Sequence, residues 1–140
     1  MSHINFSKFS YSKLNDRQKE AHNFQKVSAL LADYGFQTIN LSDDWNGADF
    51  IALHASKKHV LHIQLKGRLT ISKKYQDKGL WIAFPEYAGP SWYVIPHDEL
   101  VGFMLSNSKI GLTKSWSEDG AYSCSKIPRY ASNFVAPYLL

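Results

Sequence analysis

Apolar positions recur at spacings of three and four from Phe24 through Val27 and Leu31 to Tyr34, the stripe of an amphipathic helix. Asn15 stands ahead of it as an N-cap, Gln18 completes a capping-box pattern, and Asp16 lies in the first turn. Gly35 ends the helix where a left-handed residue is usual. Beyond it the apolar period becomes strand-like. Strands are expected over 36–41, 48–54, 60–68, 80–84 and 92–95. Residues 42–47 (Ser-Asp-Asp-Trp-Asn-Gly) read as a turn, Ser56-Lys57-Lys58 as a hairpin, and Pro85, Gly89 and Pro90 separate the last two strands. Asp98 is expected to cap a helix from Glu99 to about Leu105, and the weakly patterned last thirty residues to hold a hairpin at Asp119-Gly120 and an aromatic tail. The order α-β-β-β-β-β-α predicts an α/β fold with a mixed central sheet flanked by helices.

No repeat, low-complexity tract or Pro/Gly/Ser-rich linker divides the chain. One domain over 1–140 is expected, with 1–14 as an N-terminal arm and about 108–140 as a C-terminal extension. The 44% hydrophobic content of the 140 residues, with 8 Phe, 8 Tyr and 4 Trp, suffices for a core without staples. A single cysteine, Cys124, excludes an internal disulfide framework. No apolar run reaches the roughly 20 residues of a membrane span, and the start of the chain does not read as a signal peptide. A cytoplasmic protein is expected.

The net charge of +4 is unevenly spread. Between Lys57 and Lys78 seven basic residues face one acid, giving +6, whereas the remainder, with nine basic and eleven acidic residues, carries −2. A polyanion held at one place suits that distribution. A solvated, lysine-rich surface gives the same count.

Within the third strand, alternation puts Leu61, Ile63 and Leu65 on one face and His62, Gln64, Lys66 and Arg68 on the other. Asp49 opens an otherwise apolar strand, where an acid is costly to bury without a cation beside it. A hairpin near Lys57 sets Asp49 roughly opposite Gln64 to Lys66. Continued backwards, the helix stripe reaches Glu20, so that Glu20 faces the sheet. Alone, Asp49 reads as a turn-capping acid and Glu20 as an early-helix acid favoured by the dipole. Only their combination suggests chemistry.

Glu20 on a first helix, Asp49 on a second strand, and Gln64-Leu65-Lys66 fifteen positions later on a third resemble the PD-(D/E)xK nuclease superfamily, which has the restriction-endonuclease-like fold. The resemblance covers about residues 15–105. It implies a metal-dependent endonuclease of restriction, resolvase or homing type, hydrolysing DNA phosphodiester bonds with Mg²⁺, or Mn²⁺ as a substitute. Asp49 is then the central metal ligand, completed by the Gln64 side-chain oxygen or a neighbouring backbone carbonyl. Glu20 supplies a second carboxylate, and Lys66 positions the water or stabilises developing charge. Two positions depart from the pattern. Ala48 stands where proline is usual, and Gln64 replaces the motif acid. An amide oxygen can ligate a metal but brings no charge and cannot act as a base. Glu20 is expected to restore the missing charge.

For phosphate contact the candidates are Arg68, Lys73, Lys74 and Lys78, with Tyr75 able to stack on a base or sugar. Trp45 reads better as packed on the domain. His54, His59 and His62 match no zinc spacing, and His62 is the one expected nearest the site. Expected partners are duplex or branched DNA and, for cutting both strands, a homodimer or higher oligomer. The alternatives are a catalytically inactive DNA-binding module of the same fold and, further off, a protein-interaction domain.

Overall fold

The computed structural model describes residues 3–140. Helix α1 (Asp16–Ala32) opens with the expected capping box: Asn15 Oδ1 accepts from the Gln18 N–H (2.8 Å), and Gln18 Oε1 accepts from the Asn15 N–H (2.9 Å). It ends before Gly35, whose φ of +86° is the left-handed conformation that glycine tolerates. Strands β1 (Phe36–Trp45), β2 (Ala48–His54), β3 (Val60–Leu65), β4 (Leu69–Ser72), β5 (Leu80–Pro85) and β6 (Trp92–Pro96) follow. After them come α2 (His97–Ser106), α3 (Lys114–Ser117), β7 (Ala121–Cys124) and α4 (Ser132–Val135).

Among the described residues, five strands form a sheet in the order β1-β2-β3-β5-β6. β1, β2 and β3 form an antiparallel meander, β5 joins β3 in parallel, and β6 returns antiparallel. The sheet is mixed, as expected. Its β3-to-β5 crossover carries β4, which pairs with β7 in a separate two-stranded sheet.

Helix α1 covers one face, where Val27 and Leu31 pack with Phe50, Ala52, Ile63 and Ala83. Phe24 meets Phe50 edge-on at 5.0 Å between ring centroids. Burying a side chain such as Phe50 stabilises the fold by about 2–3 kcal/mol. The other face is covered by Leu100, Val101 and Met104 of α2, Leu69 and Ile71 of β4, and residues further on.

Several expectations are corrected. β1 runs on to Trp45, so the turn shrinks to Asn46-Gly47, with φ of +51° and +90°. An Asn-Gly pair suits such a two-residue hairpin. Tyr34 lies past the helix and is exposed. The third strand stops at Leu65, and Arg68 precedes the unforeseen β4. Asp98 sits in the first turn of α2, whose N-cap is Pro96, and its carboxylate accepts instead from the Asp77 N–H. Ala121–Cys124 pairs with β4 and not across a hairpin at Gly120. The segment expected as an extension contributes Ile110, Trp116, Ala131 and Val135 to the buried core.

His97 links these layers. Its ring is fully buried, and Nε2 accepts from the Ser72 N–H of β4 (3.1 Å). The proton of the neutral ring is therefore on Nδ1, which lies 3.5 Å from the Asp98 carboxylate without a hydrogen bond. Burial lowers the affinity of this ring for a second proton, against the opposing pull of Asp98. The unfolded chain takes up that proton near the ordinary value of 6.5, so stability is full above it and falls as pH drops. Protonated Nε2 cannot accept, and an orphaned Ser72 N–H costs about 1–3 kcal/mol. Urea denaturation is expected to show stability declining below about pH 6.5. His97→Gln should flatten that decline; an unchanged slope refutes the assignment.

Candidate active site

The β2–β3 register pairs Phe50 with Ile63, and continuing it by one residue sets Asp49 against Gln64. Both line a cleft shared with Glu20 and Asn23 of α1. The Leu65 N–H donates to Asp49 Oδ2 (2.8 Å), which ties the carboxylate to β3. Gln64 Nε2 donates over a long 3.4 Å to the Leu65 carbonyl, so Oε1 remains as its free acceptor. The Lys66 N–H extends the parallel pairing to the Ala83 carbonyl of β5 (2.8 Å). Glu20 stands one turn before Phe24, so the Phe24–Phe50 contact carries it to the end of β2.

Three adjoining clefts meet at Asp49, which lines all of them. The largest, about 480 Å³, also takes in Arg17, Glu20 and Phe24. The second, about 320 Å³, is lined by Glu20, Asn23, Gln64 and Lys66. The third, about 240 Å³, adds Asp44, Gly47, Lys74, Tyr75 and Lys78. Burial raises the Asp49 carboxyl above its ordinary value, and Glu20 and Asp44 raise it further. The Leu65 N–H and Lys66 oppose them. A half-buried carboxylate beside other acids is the arrangement that a cation relieves.

The donor set fits a hard divalent cation: two carboxylates, an amide oxygen and nearby backbone carbonyls. Among the described residues no three His, Cys, Asp or Glu side chains converge as a ligand group.

Glu20, Asp49, Gln64, Lys66, Lys74, Tyr75 and Lys78 thus border connected clefts. Arg68 and Lys73 do not line them. Arg68 is felt by Cys124 on β7, whose half-buried thiol is pushed up by burial and drawn down by Arg68. The Lys73 ammonium lies 5.5 Å from the Trp116 ring centroid. Tyr75 is a correction. Only 6% exposed, it presents no free face to a base. It packs edge-on against His97, and the Lys66 and Lys74 ammonium groups lie over its ring at 5.2 and 5.0 Å. Trp45, expected to be packed, is 62% exposed. His62 does not border the clefts. Sequence reasoning missed Asp44, whose signal was an Asx-type turn: its Oδ1 accepts from the Gly47 N–H (2.9 Å).

This architecture is similar to that of a bacterial homing endonuclease, with a TM-score of 0.51 over 89% of this chain and 86% of that one, at 11% identity. The fold is restriction-endonuclease-like. At 11% identity the likeness is one of fold. A Holliday junction resolvase from the archaeal hyperthermophile Archaeoglobus fulgidus is similar with a TM-score of 0.44 and 15% identity, over 56% of this chain and 72% of that one. No protein-family model matches the chain, nor does any curated protein sequence. Among the described residues no helix is long and apolar enough to cross a membrane.

Proposed function

We propose that this protein is a metal-dependent endonuclease that hydrolyses DNA phosphodiester bonds, with Mg²⁺ as its ion and Mn²⁺ as a substitute. The observation that carries this reading is the half-buried Asp49, meeting Glu20, Gln64 and Lys66 around connected clefts on a restriction-endonuclease-like fold. Asp49 is the central ligand, held in place by the Leu65 N–H. Glu20 and the Gln64 oxygen complete its protein donors. Bound there, the ion supplies charge neutralisation at the phosphate and acidifies a water. Lys66 donates to the phosphate oxygen that gains charge as water adds to phosphorus and the ester bond breaks. Lys74 and Lys78 hold neighbouring phosphates. Cutting both strands of a duplex calls for two such centres, which a homodimer supplies.

The test is incubation with supercoiled plasmid and with branched DNA. Nicked or cut product is expected with Mg²⁺ and none with a chelator. The neutral Gln64 favours one rival, a DNA-binding module without catalysis. Salt-dependent DNA binding without cleavage, repaired by Gln64→Glu, establishes that rival; absence of DNA binding defeats both.

A further inference from the structure

The geometry points to Trp45 as a stacking platform for an unpaired nucleobase at the rim of the candidate active site, an inference that rests on the proposed DNA cleavage. Trp92 and Trp116 are buried, and Trp81 packs against Tyr138, whereas Trp45 leaves 62% of its surface in water. Its neighbours Ser42, Asp43, Asp44 and Asn46 are all exposed and polar. Along the chain the ring is therefore flanked by polar residues and not by an apolar run.

The ladder is irregular between Asn40 and Trp45, and the turn itself anchors the ring. Trp45 pairs with Ala48 across the two-residue turn, and Asp44 Oδ1 closes the turn onto the Gly47 N–H. Gly47 is pressed so closely to the core that a Cβ there would meet Leu80 Cδ1 at 2.8 Å and Tyr75 Cδ1 at 3.1 Å. A ring held in this way loses little conformational freedom when it meets a flat partner.

The surroundings identify that partner. Asp44 and Gly47 of the same turn line the third cleft with Asp49, Gln64, Lys74 and Lys78. The two lysines attract phosphates, while Asp43 and Asp44 repel them from the tip. Trp45 itself lies outside the lining, and a strand whose backbone follows the lysines past this turn brings a base to the indole. Bases inside a duplex have both faces covered, so only a single strand, a frayed end or a branch point offers a free one.

Binding to a fluorescent single-stranded oligodeoxynucleotide and to its blunt duplex, measured in chelator to prevent cleavage, tests this. Trp45→Ala should weaken single-strand binding by about tenfold, and Trp45→Phe by much less, because a phenyl ring still stacks. Duplex affinity and the salt slope should hardly change, since no phosphate contact is removed. Quenching of tryptophan emission by the single strand should disappear in Trp45→Phe. Unchanged single-strand affinity in Trp45→Ala, or an equal loss on both DNAs, overturns the assignment and leaves the proposed cleavage standing. Failure of the unaltered protein to bind either DNA removes the functional reading, and this inference with it.

Discussion

Asp49→Asn is expected to reduce Mg²⁺-dependent cleavage by about 10³-fold or more while leaving the fold at least as stable. Asparagine keeps an oxygen that can accept from the Leu65 N–H, so the tie between β2 and β3 survives. What disappears is a charge that burial, Glu20 and Asp44 all disfavour. The folded carboxyl titrates above the ordinary 3.8, so its ionised form opposes folding at neutral pH, and that penalty is relieved as pH falls towards 3.8. The variant should therefore melt higher than the parent at neutral pH without metal, and the gap should close in acid. Adding Mg²⁺ should raise the melting temperature of the parent alone, because only the parent binds the ion well. Single-turnover cleavage and paired thermal melts check both halves. Cleavage retained within about tenfold refutes the central role of Asp49.

Lys66→Met is expected to slow cleavage by about 10²–10³-fold with DNA affinity altered only a few-fold. Methionine keeps an apolar stem that can still pack on Tyr75 but carries no ammonium to meet charge on the phosphate. The contrast between rate and affinity is the useful readout. A phosphate anchor loses affinity and lowers the salt slope when neutralised, whereas a group acting on the reacting phosphate loses mainly rate. Single-turnover rates set beside equilibrium binding separate the two. A drop confined to affinity makes Lys66 an anchor like Lys74.

Most of the sheet was legible because its signals are local. Ala48–His54 matches its expected bounds, since apolar alternation and flanking turns frame it. The capping box and the Phe24–Val27–Leu31 stripe likewise need only neighbours along the chain. β4 was missed because four residues after Gly67-Arg68 carry little pattern, and their partner strand β7 lies far along the chain. The aromatics were exchanged for a related reason. Tyr75 sits among lysines and reads as surface, yet the 3₁₀ turn Lys73–Tyr75 rolls it under Gly47. Trp45 reads as core by its chemistry, yet it stands at the tip of a strand longer than expected. Periodicity places a side chain on a face. Which face another element later covers is a tertiary matter.

The pairing of β4 with β7 also bears on the order in which the molecule is completed. The meander of β1, β2 and β3 has low contact order and can form early, bringing Asp49 and the Gln64-Leu65 step together at once. Lys66 differs. Its aromatic seat rests on His97, which holds Ser72 of β4, and β4 waits for β7 to emerge from the ribosome. In a nascent chain Asp49 and the Gln64-Leu65 step can therefore come together before the aromatic seat of Lys66 is complete.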